Sequence, residues 1–147
     1  MIIKITECFN IVKWLIEGKM AKNSPGDDFV VVHFNETMNK SDHGLIREFG
    51  VSASTTGSQA LSMASGQVPA KSKSKRHYHP FETAVYIISG QARSYFGPND
   101  ERWEDVSAGD FIYIPAGMIH STENTGDTPI EYILARAASE DIAISAE

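Results

Sequence analysis

Two histidines separated by one residue could hold a metal ion. His77 and His79 lie in the stretch KRHYHPFETA (75–84), and Glu82 follows just downstream. Imidazole nitrogens and carboxylate oxygens are common ligands of divalent transition metals. Residues two apart in a strand point to the same face, so both rings could reach one ion. The alternative is a polar strand edge whose two histidines bind nothing.

A third histidine follows a turn further along the chain. The stretch GDFIYIPAGMIHSTEN (109–124) contains a short apolar run, then Pro115 and Gly117, which predict a turn, and then His120 at the start of the next extended segment. The chain has five histidines, the other two being His33 and His43. A single histidine after a turn is more often structural than a ligand.

The basic run KSKSKR (71–76) precedes the histidine pair. Four cations in six residues are usually a solvated loop or strand. If the strand that carries His77 and His79 extends backwards, alternation places Lys75, and further back Lys73, on the face of the histidines. A lysine there could hold an anionic substrate near a metal.

Most of the chain predicts strands. Short apolar runs rich in β-branched and aromatic residues alternate with Gly, Pro, Asn, Asp and Ser. The runs cover residues 29–34, 45–51, 59–65, 84–89, 92–96, 110–115 and 130–137. This spacing predicts an all-β antiparallel sandwich or barrel.

The first twenty residues differ from this pattern. Apolar residues recur there at spacings of three and four, which predicts one face of an amphipathic helix: Ile5, Phe9, Val12, Ile16 and Met20. Pro25 and Gly26 then end it. We therefore expect a helix and linker over 1–27 and one β domain over 28–147.

Composition narrows the functional class. A chain of 147 residues fits one domain, and its net charge of -6 disfavours general binding to nucleic acid or to anionic membranes. Cys8 is the single cysteine, so an internal disulfide is impossible. Charged residues interrupt the apolar N-terminal stretch, which has neither a signal-peptide core nor a spanning segment. We expect a cytoplasmic protein.

Taken together, the two histidine stretches resemble the cupin superfamily. Its second motif is Gly, five residues, Pro, one, Gly, two, His, three, Asn. Gly109, Pro115, Gly117, His120 and Asn124 match every one of those spacings. Five matches within sixteen residues make this part of the resemblance specific, and the resemblance as a whole covers about residues 59–137.

The first cupin motif is matched with two departures. It has a leading Gly, five residues, then His, one, His, three or four, Glu, six, Gly; His77, His79 and the closing Gly90 fit it. Lys71 stands where the leading glycine would be, so we expect that turn to be built differently. Thr83 stands in the acidic position, and Glu82 lies one residue early.

The sequence leaves two registers for this strand. If Glu82 faces the metal, then Ala84, Tyr86 and Ile88 point into the barrel; if Thr83 does, Val85, Ile87 and Ser89 point inward. A carboxylate completes a three-imidazole ligand set and threonine is a poor ligand, so we favour Glu82 through a loop shortened by one residue. With Thr83 inward, three histidines and an open position remain.

The resemblance implies a double-stranded β-helix, a jelly-roll barrel with a metal near one mouth. It implies His77, His79, Glu82 and His120 as ligands of a divalent Fe, Mn, Ni, Co, Cu or Zn ion. The activity we expect is a metal-dependent dioxygenase acting on a small oxygen-bearing organic molecule, with isomerase or lyase chemistry next. A non-catalytic small-ligand-binding module is the alternative from another class.

Several side chains are candidates for the pocket of such a barrel: Lys75, Tyr86, Arg93, Tyr95, Tyr113 and Arg136. Arg93 or Arg136, if it points inward, would favour a carboxylate-bearing substrate through bidentate pairing. Cupins are often oligomers, and the N-terminal helix would suit the contact of a homodimer. A small-molecule ligand and a second copy of the chain are therefore the expected partners.

Overall fold

Two antiparallel sheets form the described part of the protein. The computed structural model describes Gly26 and residues 29–33, 38–40 and 43–147. Within these residues one helical turn and twelve strands are present. They are β1 Met38–Lys40, β2 Ile46–Val51, α1 Ala53–Thr56, β3 Ser62–Val68, β4 Ser72–Lys73, β5 His77–Tyr78, β6 Thr83–Ser89, β7 Gln91–Phe96, β8 Arg102–Ser107, β9 Phe111–Ile114, β10 His120–Asn124, β11 Ile130–Arg136 and β12 Ile144–Ser145.

The strand order is that of a jelly roll. One sheet runs β1-β2-β3-β11-β6-β9, and the other runs β12-β5-β10-β7-β8 with β4 also paired to β10. Strands distant in sequence are neighbours, as β11 lies between β3 and β6. The all-β double-stranded β-helix expected from the sequence is confirmed.

The core lies between the sheets and follows from alternation along the strands. In β11 the even positions Ile130, Tyr132 and Leu134 are buried, and in β6 Ile87 joins them. Residues two apart share a face, so each strand contributes one apolar row to the interior. Burial of such rows is the main stabilising term of a small β domain.

Tight turns bring the paired strands together. Gly90 alone connects β6 and β7, at φ 88, and a Cβ there would lie 2.9 Å from Ile130 Cγ1. Lys71 also adopts a left-handed φ of 53. Lysine thus occupies a backbone conformation that favours glycine, and the expectation that this turn is built differently stays a prediction.

Predicted and observed strands agree for most of the barrel. The strands predicted at 45–51, 84–89, 92–96, 110–115 and 130–137 appear within two residues at each end, and the one at 59–65 begins later, at Ser62. Phe29–His33 form no strand, so the strand predicted at 29–34 is wrong over those residues. The predicted N-terminal helix, and the dimer contact assigned to it, fall outside the described residues; Gly26 belongs to the predicted linker.

The sequence pattern missed the polar strand β8. Its residues RWEDVS alternate weakly and are mostly exposed. In the described part of the chain no helix has the length and apolar character that a membrane span requires.

Candidate metal centre

Three histidines converge at one end of the interior. His77 lies on β5, His79 follows it, and His120 opens β10; His77 and His120 are register partners in adjacent strands. His77 is 2% exposed and His79 is 3% exposed. One possible ligand nitrogen from each ring lies within 4.8 Å of the other two. The structure thus brings together the three histidines that the sequence singled out.

Backbone carbonyls hold all three rings through the same atom. Nδ1 lies 2.8 Å from the Lys75 carbonyl oxygen for His77, 2.6 Å from that of Ile142 for His79 and 2.9 Å from that of Met118 for His120. A carbonyl oxygen only accepts, so each Nδ1 carries the proton. Every Nε2 is therefore unprotonated, the arrangement that orients histidine ligands in metal sites, although Arg136 Nη2 donates to that of His79 at 3.2 Å.

The surroundings keep these rings neutral. Burial, followed by the nearby His120, lowers the pKa of His77 to about 2. Burial and then the Arg136 charge lower the pKa of His79 to about 3, and burial lowers the pKa of His120. Neutral imidazole is the form that binds metal, so the donor set is ready at neutral pH.

The favoured register at Glu82 is wrong. Thr83 is 3% exposed and points inward with Val85 and Ile87, whereas Glu82 is exposed. Glu82 accepts a hydrogen bond of 2.6 Å from the Tyr113 hydroxyl and is outside the histidine group. The Glu82 register required a loop after His79 that is one residue shorter. Instead, β6 begins at Thr83, and Thr83 is its first inward residue. Tyr86 and Ile88 accordingly lie on the outer face.

Three predicted pocket residues do not reach the histidines. Lys75 is exposed because regular pairing breaks at residues 74–76, between β4 and β5, so strand alternation does not carry back from His77. Tyr86 is 39% exposed and packs against the Phe111 ring. Arg93 pairs with Asp105 at 2.7 Å and stacks over Trp103, away from the cavity.

The remaining candidates border the interior. Tyr95 and Tyr113 line it, but their hydroxyls donate to Glu123 at 2.7 Å and to Glu82 at 2.6 Å. Arg136 is 4% exposed, and its Nη2 donates to His79 Nε2 at 3.2 Å. Of the six, Arg136 is the one whose side chain forms a hydrogen bond with a histidine ring.

A cavity of about 450 Å³ opens onto the histidines. Apolar side chains from both sheets form much of its wall, among them Val68, Ile87 and Ile130 from one sheet and Ala92 and Val106 from the other. A few polar groups project into it beside the histidines, namely Thr83, Arg47 and Arg136. An apolar pocket of this size with a few convergent polar groups is typical of a small-molecule site.

Comparison with known proteins identifies the fold family. The family model for the cupin domain matches residues 66–136, which include all three histidines and Arg136. This segment is a cupin domain. An uncharacterized protein of Methanocaldococcus jannaschii is 35% identical to the cupin over 72 residues, 49% of this chain and 56% of that protein. The match thus spans little more than half of that relative's length.

Solved structures share the same architecture. The cupin superposes on the polyketide cyclase RemF of Streptomyces resistomycificus with a TM-score of 0.68 at 15% identity, covering 80% of this chain and 85% of RemF. An oxalate decarboxylase of Lactobacillus farciminis, determined as its formate complex, gives 0.67 at 22% identity over 88% of this chain and 40% of that one. The oxalate decarboxylase of Bacillus subtilis, a protein with Mn(II) centres, gives 0.65 at 22%, covering 88% and 36%. At these identities the likeness establishes the fold of the cupin.

Four residues of the site were missed by the sequence interpretation. His43 is buried, with its ring 4.5 Å from that of His77. Arg47, Tyr132 and Asp141 form a polar cluster with Arg136. No sequence motif marks these four residues. Arg47 could have been noticed, because it occupies a position in β2 where the alternating pattern predicts a buried apolar residue.

Two residues of the second motif, Gly117 and Asn124, have structural roles. Gly117 N donates to the His79 carbonyl at 2.8 Å, which ties the turn before His120 to the strand region of the first motif. Asn124 is 1% exposed and donates to the carbonyls of Val68 and Thr128 while accepting from Gly126 N. The second motif therefore positions His120 and closes the turn between β10 and β11.

Proposed function

We propose that this cupin binds one divalent transition metal through Nε2 of His77, His79 and His120. The observation that carries the proposal is the common anchoring of the three Nδ1 atoms by backbone carbonyls. Three neutral imidazoles suit iron, copper, nickel, cobalt, manganese or zinc and leave coordination positions for a substrate. The donor set thus fits a metal without a carboxylate ligand.

We further propose that the protein is a metal-dependent enzyme of the dioxygenase type that acts on a small oxygen-bearing organic molecule. A bound iron ion would supply the activation of dioxygen. The chain's own residues bind and orient the substrate: the apolar walls exclude water, and the Thr83 hydroxyl and the two arginines offer polar contacts beside the histidines. Low water content strengthens those polar contacts.

Isomerase, lyase or cyclase chemistry is the second candidate. It is favoured by the all-imidazole donor set, which also suits zinc, and by the fold shared with a polyketide cyclase and with oxalate decarboxylases. A bound ion would polarise a carbonyl of the substrate in isomerase or lyase chemistry of this kind. A non-catalytic binding module would use the same cavity without turnover.

Metal analysis of the full chain, purified without added metal, tests the proposal. We expect close to one ion per chain in the wild type and little in His120→Ala. Bound iron together with oxygen consumption on candidate enols or catechols would support the dioxygenase, whereas zinc or manganese without oxygen consumption would favour the second candidate. A protein that contains no metal, and whose melting temperature no added divalent ion changes, would overturn the metal site.

A further inference from the structure

Two buried arginines meet beside the histidines. Arg47 on β2 is 2% exposed and Arg136 on β11 is 4% exposed. Both pair with Asp141: Arg47 Nη1 donates to its Oδ1 at 3.1 Å and its Oδ2 at 2.9 Å, and Arg136 Nη1 donates to Oδ1. Two guanidinium charges thus share one carboxylate, which leaves an excess positive charge at the edge of the cavity.

Neighbouring contacts hold the first of these arginines in place. Arg47, Gly66 and Tyr132 are register partners across β2, β3 and β11. The Tyr132 ring packs directly over Gly66, where a Cβ would come within 2.4 Å of it. The Tyr132 hydroxyl then accepts a hydrogen bond of 3.4 Å from Arg47 Nε. Arg47 is therefore preorganised toward Asp141.

The second arginine has donors that the chain does not fully use. Arg136 Nε is buried without a hydrogen-bond partner, and so is Oγ1 of Thr83, its register partner on β6. Arg136 Nη2 lies 3.2 Å from His79 Nε2, which is the atom that a metal ion would need as a ligand. Buried donors without acceptors are costly, and a planar guanidinium matches a carboxylate with two parallel hydrogen bonds. An incoming carboxylate would satisfy this arginine better than the imidazole does.

Charges elsewhere on the cavity wall also favour an anion. Apart from the histidines, the described lining residues that carry full charges are Arg47, Arg102, Glu104 and Arg136. With Asp141, which pairs with two of them, three cations face two carboxylates, and the remaining positive charge attracts negative ligands. Asp141 lies on the segment between β11 and β12, and its side chain is 29% exposed, so it borders solvent while both arginines are enclosed.

We infer that Arg47 and Arg136 form a carboxylate-binding subsite next to the metal centre, and that Asp141 occupies this subsite until the carboxylate of a ligand replaces it. The apolar walls indicate that the ligand is a carboxylic acid with an apolar body. The conclusion that the substrate is such an acid rests on the proposed function. The binding of a carboxylate to Arg47 and Arg136 requires no metal.

Benzoate is a suitable probe, with benzamide as its neutral counterpart, and the metal-free full chain is the protein to use. We expect wild type to bind benzoate weakly in calorimetry and Asp141→Asn to bind it at least about tenfold more tightly, because the internal competitor is gone. Benzoate should raise the melting temperature of Asp141→Asn more than that of wild type. Benzamide should do neither.

Two further variants complete the test. Arg136→Gln should lose benzoate binding, whereas Asp105→Asn, which breaks an exposed arginine–aspartate pair on the outer face, should match wild type. Equal benzoate affinity in wild type and Asp141→Asn, or unchanged affinity in Arg136→Gln, would overturn the inference. If Asp141→Asn folds only with benzoate present, the inference is supported. If it never folds, the benzoate affinity of wild type compared with that of Arg136→Gln decides.

The two proposals fail separately. Benzoate binding without any metal uptake would remove the proposed metal-dependent function and leave the subsite. Stoichiometric metal in a protein that binds no benzoate would remove the subsite and leave the metal centre.

Discussion

The two halves of the site are held in different ways. His77 and His120 are each anchored by the carbonyl of the residue two positions earlier, so short segments set their orientation. Arg47 and Arg136 meet on Asp141, and Arg47 and Asp141 are 94 residues apart in the chain. Local backbone geometry thus orients two of the three histidines, whereas only the folded barrel builds the arginine half.

His79 is the point where the halves meet. Its Nδ1 donates to the carbonyl of Ile142, next to Asp141, and its Nε2 accepts from Arg136. Metal binding at Nε2 therefore requires Arg136 to leave that atom. Separate substitutions in the two halves should show how far they act independently.

The largest expected effect is loss of metal from the histidine half. His120→Ala should weaken metal affinity by about a thousandfold, more than the roughly tenfold to hundredfold that loss of a supporting hydrogen bond costs. Elemental analysis after dialysis, and metal titration with a competing chelator, measure this affinity.

Arg136→Gln is the matched variant in the arginine half. It should retain metal at wild-type affinity or better, because one competitor for His79 Nε2 is removed. Equal metal loss in His120→Ala and Arg136→Gln would show that the two halves form one unit.

A second prediction concerns the acid sensitivity of the histidine half. His77 and His79 have pKa values lowered to about 2 and about 3, against 6.5 in an unfolded chain. Between pH 6.5 and 3 the unfolded chain binds more protons, so the free energy of unfolding falls as the pH decreases through that window. At pH 5 each of these two histidines should lower the free energy of unfolding by about 2 kcal/mol relative to its value at neutral pH.

Urea denaturation of chelator-treated protein between pH 7 and 5 measures this loss. His77→Gln should lose its share of the pH dependence and show a shallower slope than wild type. An identical slope in the two proteins would mean that His77 is not held neutral by the fold.

A third prediction addresses the packing behind Arg47. Gly66→Ala should lower the free energy of unfolding by about 1–3 kcal/mol, because the new methyl group would collide with the Tyr132 ring in a close-packed interior. Benzoate affinity should also fall as Arg47 loses its support from Tyr132, while metal affinity stays unchanged.

Gly50→Ala is the control for that substitution. Gly50 lies in β2, which pairs with the strand β3 that carries Gly66, and a Cβ there would meet nothing within 4 Å. If Gly50→Ala destabilises the protein as much as Gly66→Ala, the contact with Tyr132 is not the cause.

The smallest effect is expected outside both halves. Tyr113→Phe removes the exposed hydrogen bond to Glu82 and should change the free energy of unfolding by less than about 0.5 kcal/mol. Glu82→Gln should leave the metal content unchanged. A loss of metal in Glu82→Gln would restore Glu82 as a ligand and contradict the register of β6.

Spacing in the sequence was enough to predict the barrel and the three histidines. The strand periodicity and the turn residues around Gly90, Pro115 and Gly117 are local features, and the anchors of His77 and His120 lie two residues away in the chain. The register at Glu82 and Thr83 was not decided by pattern, because apolar residues occupy both faces of β6.

Only the tertiary structure decided the rest. Burial of Thr83 and pairing with β9 and β11 select which face of β6 is inward, since a shift of one residue exchanges the faces. The cluster of Arg47, Arg136 and Asp141 depends on neighbours contributed by β2, β11 and the segment after β11. Sequence spacing carries no information about such contacts, because they form only when distant strands pair in one barrel.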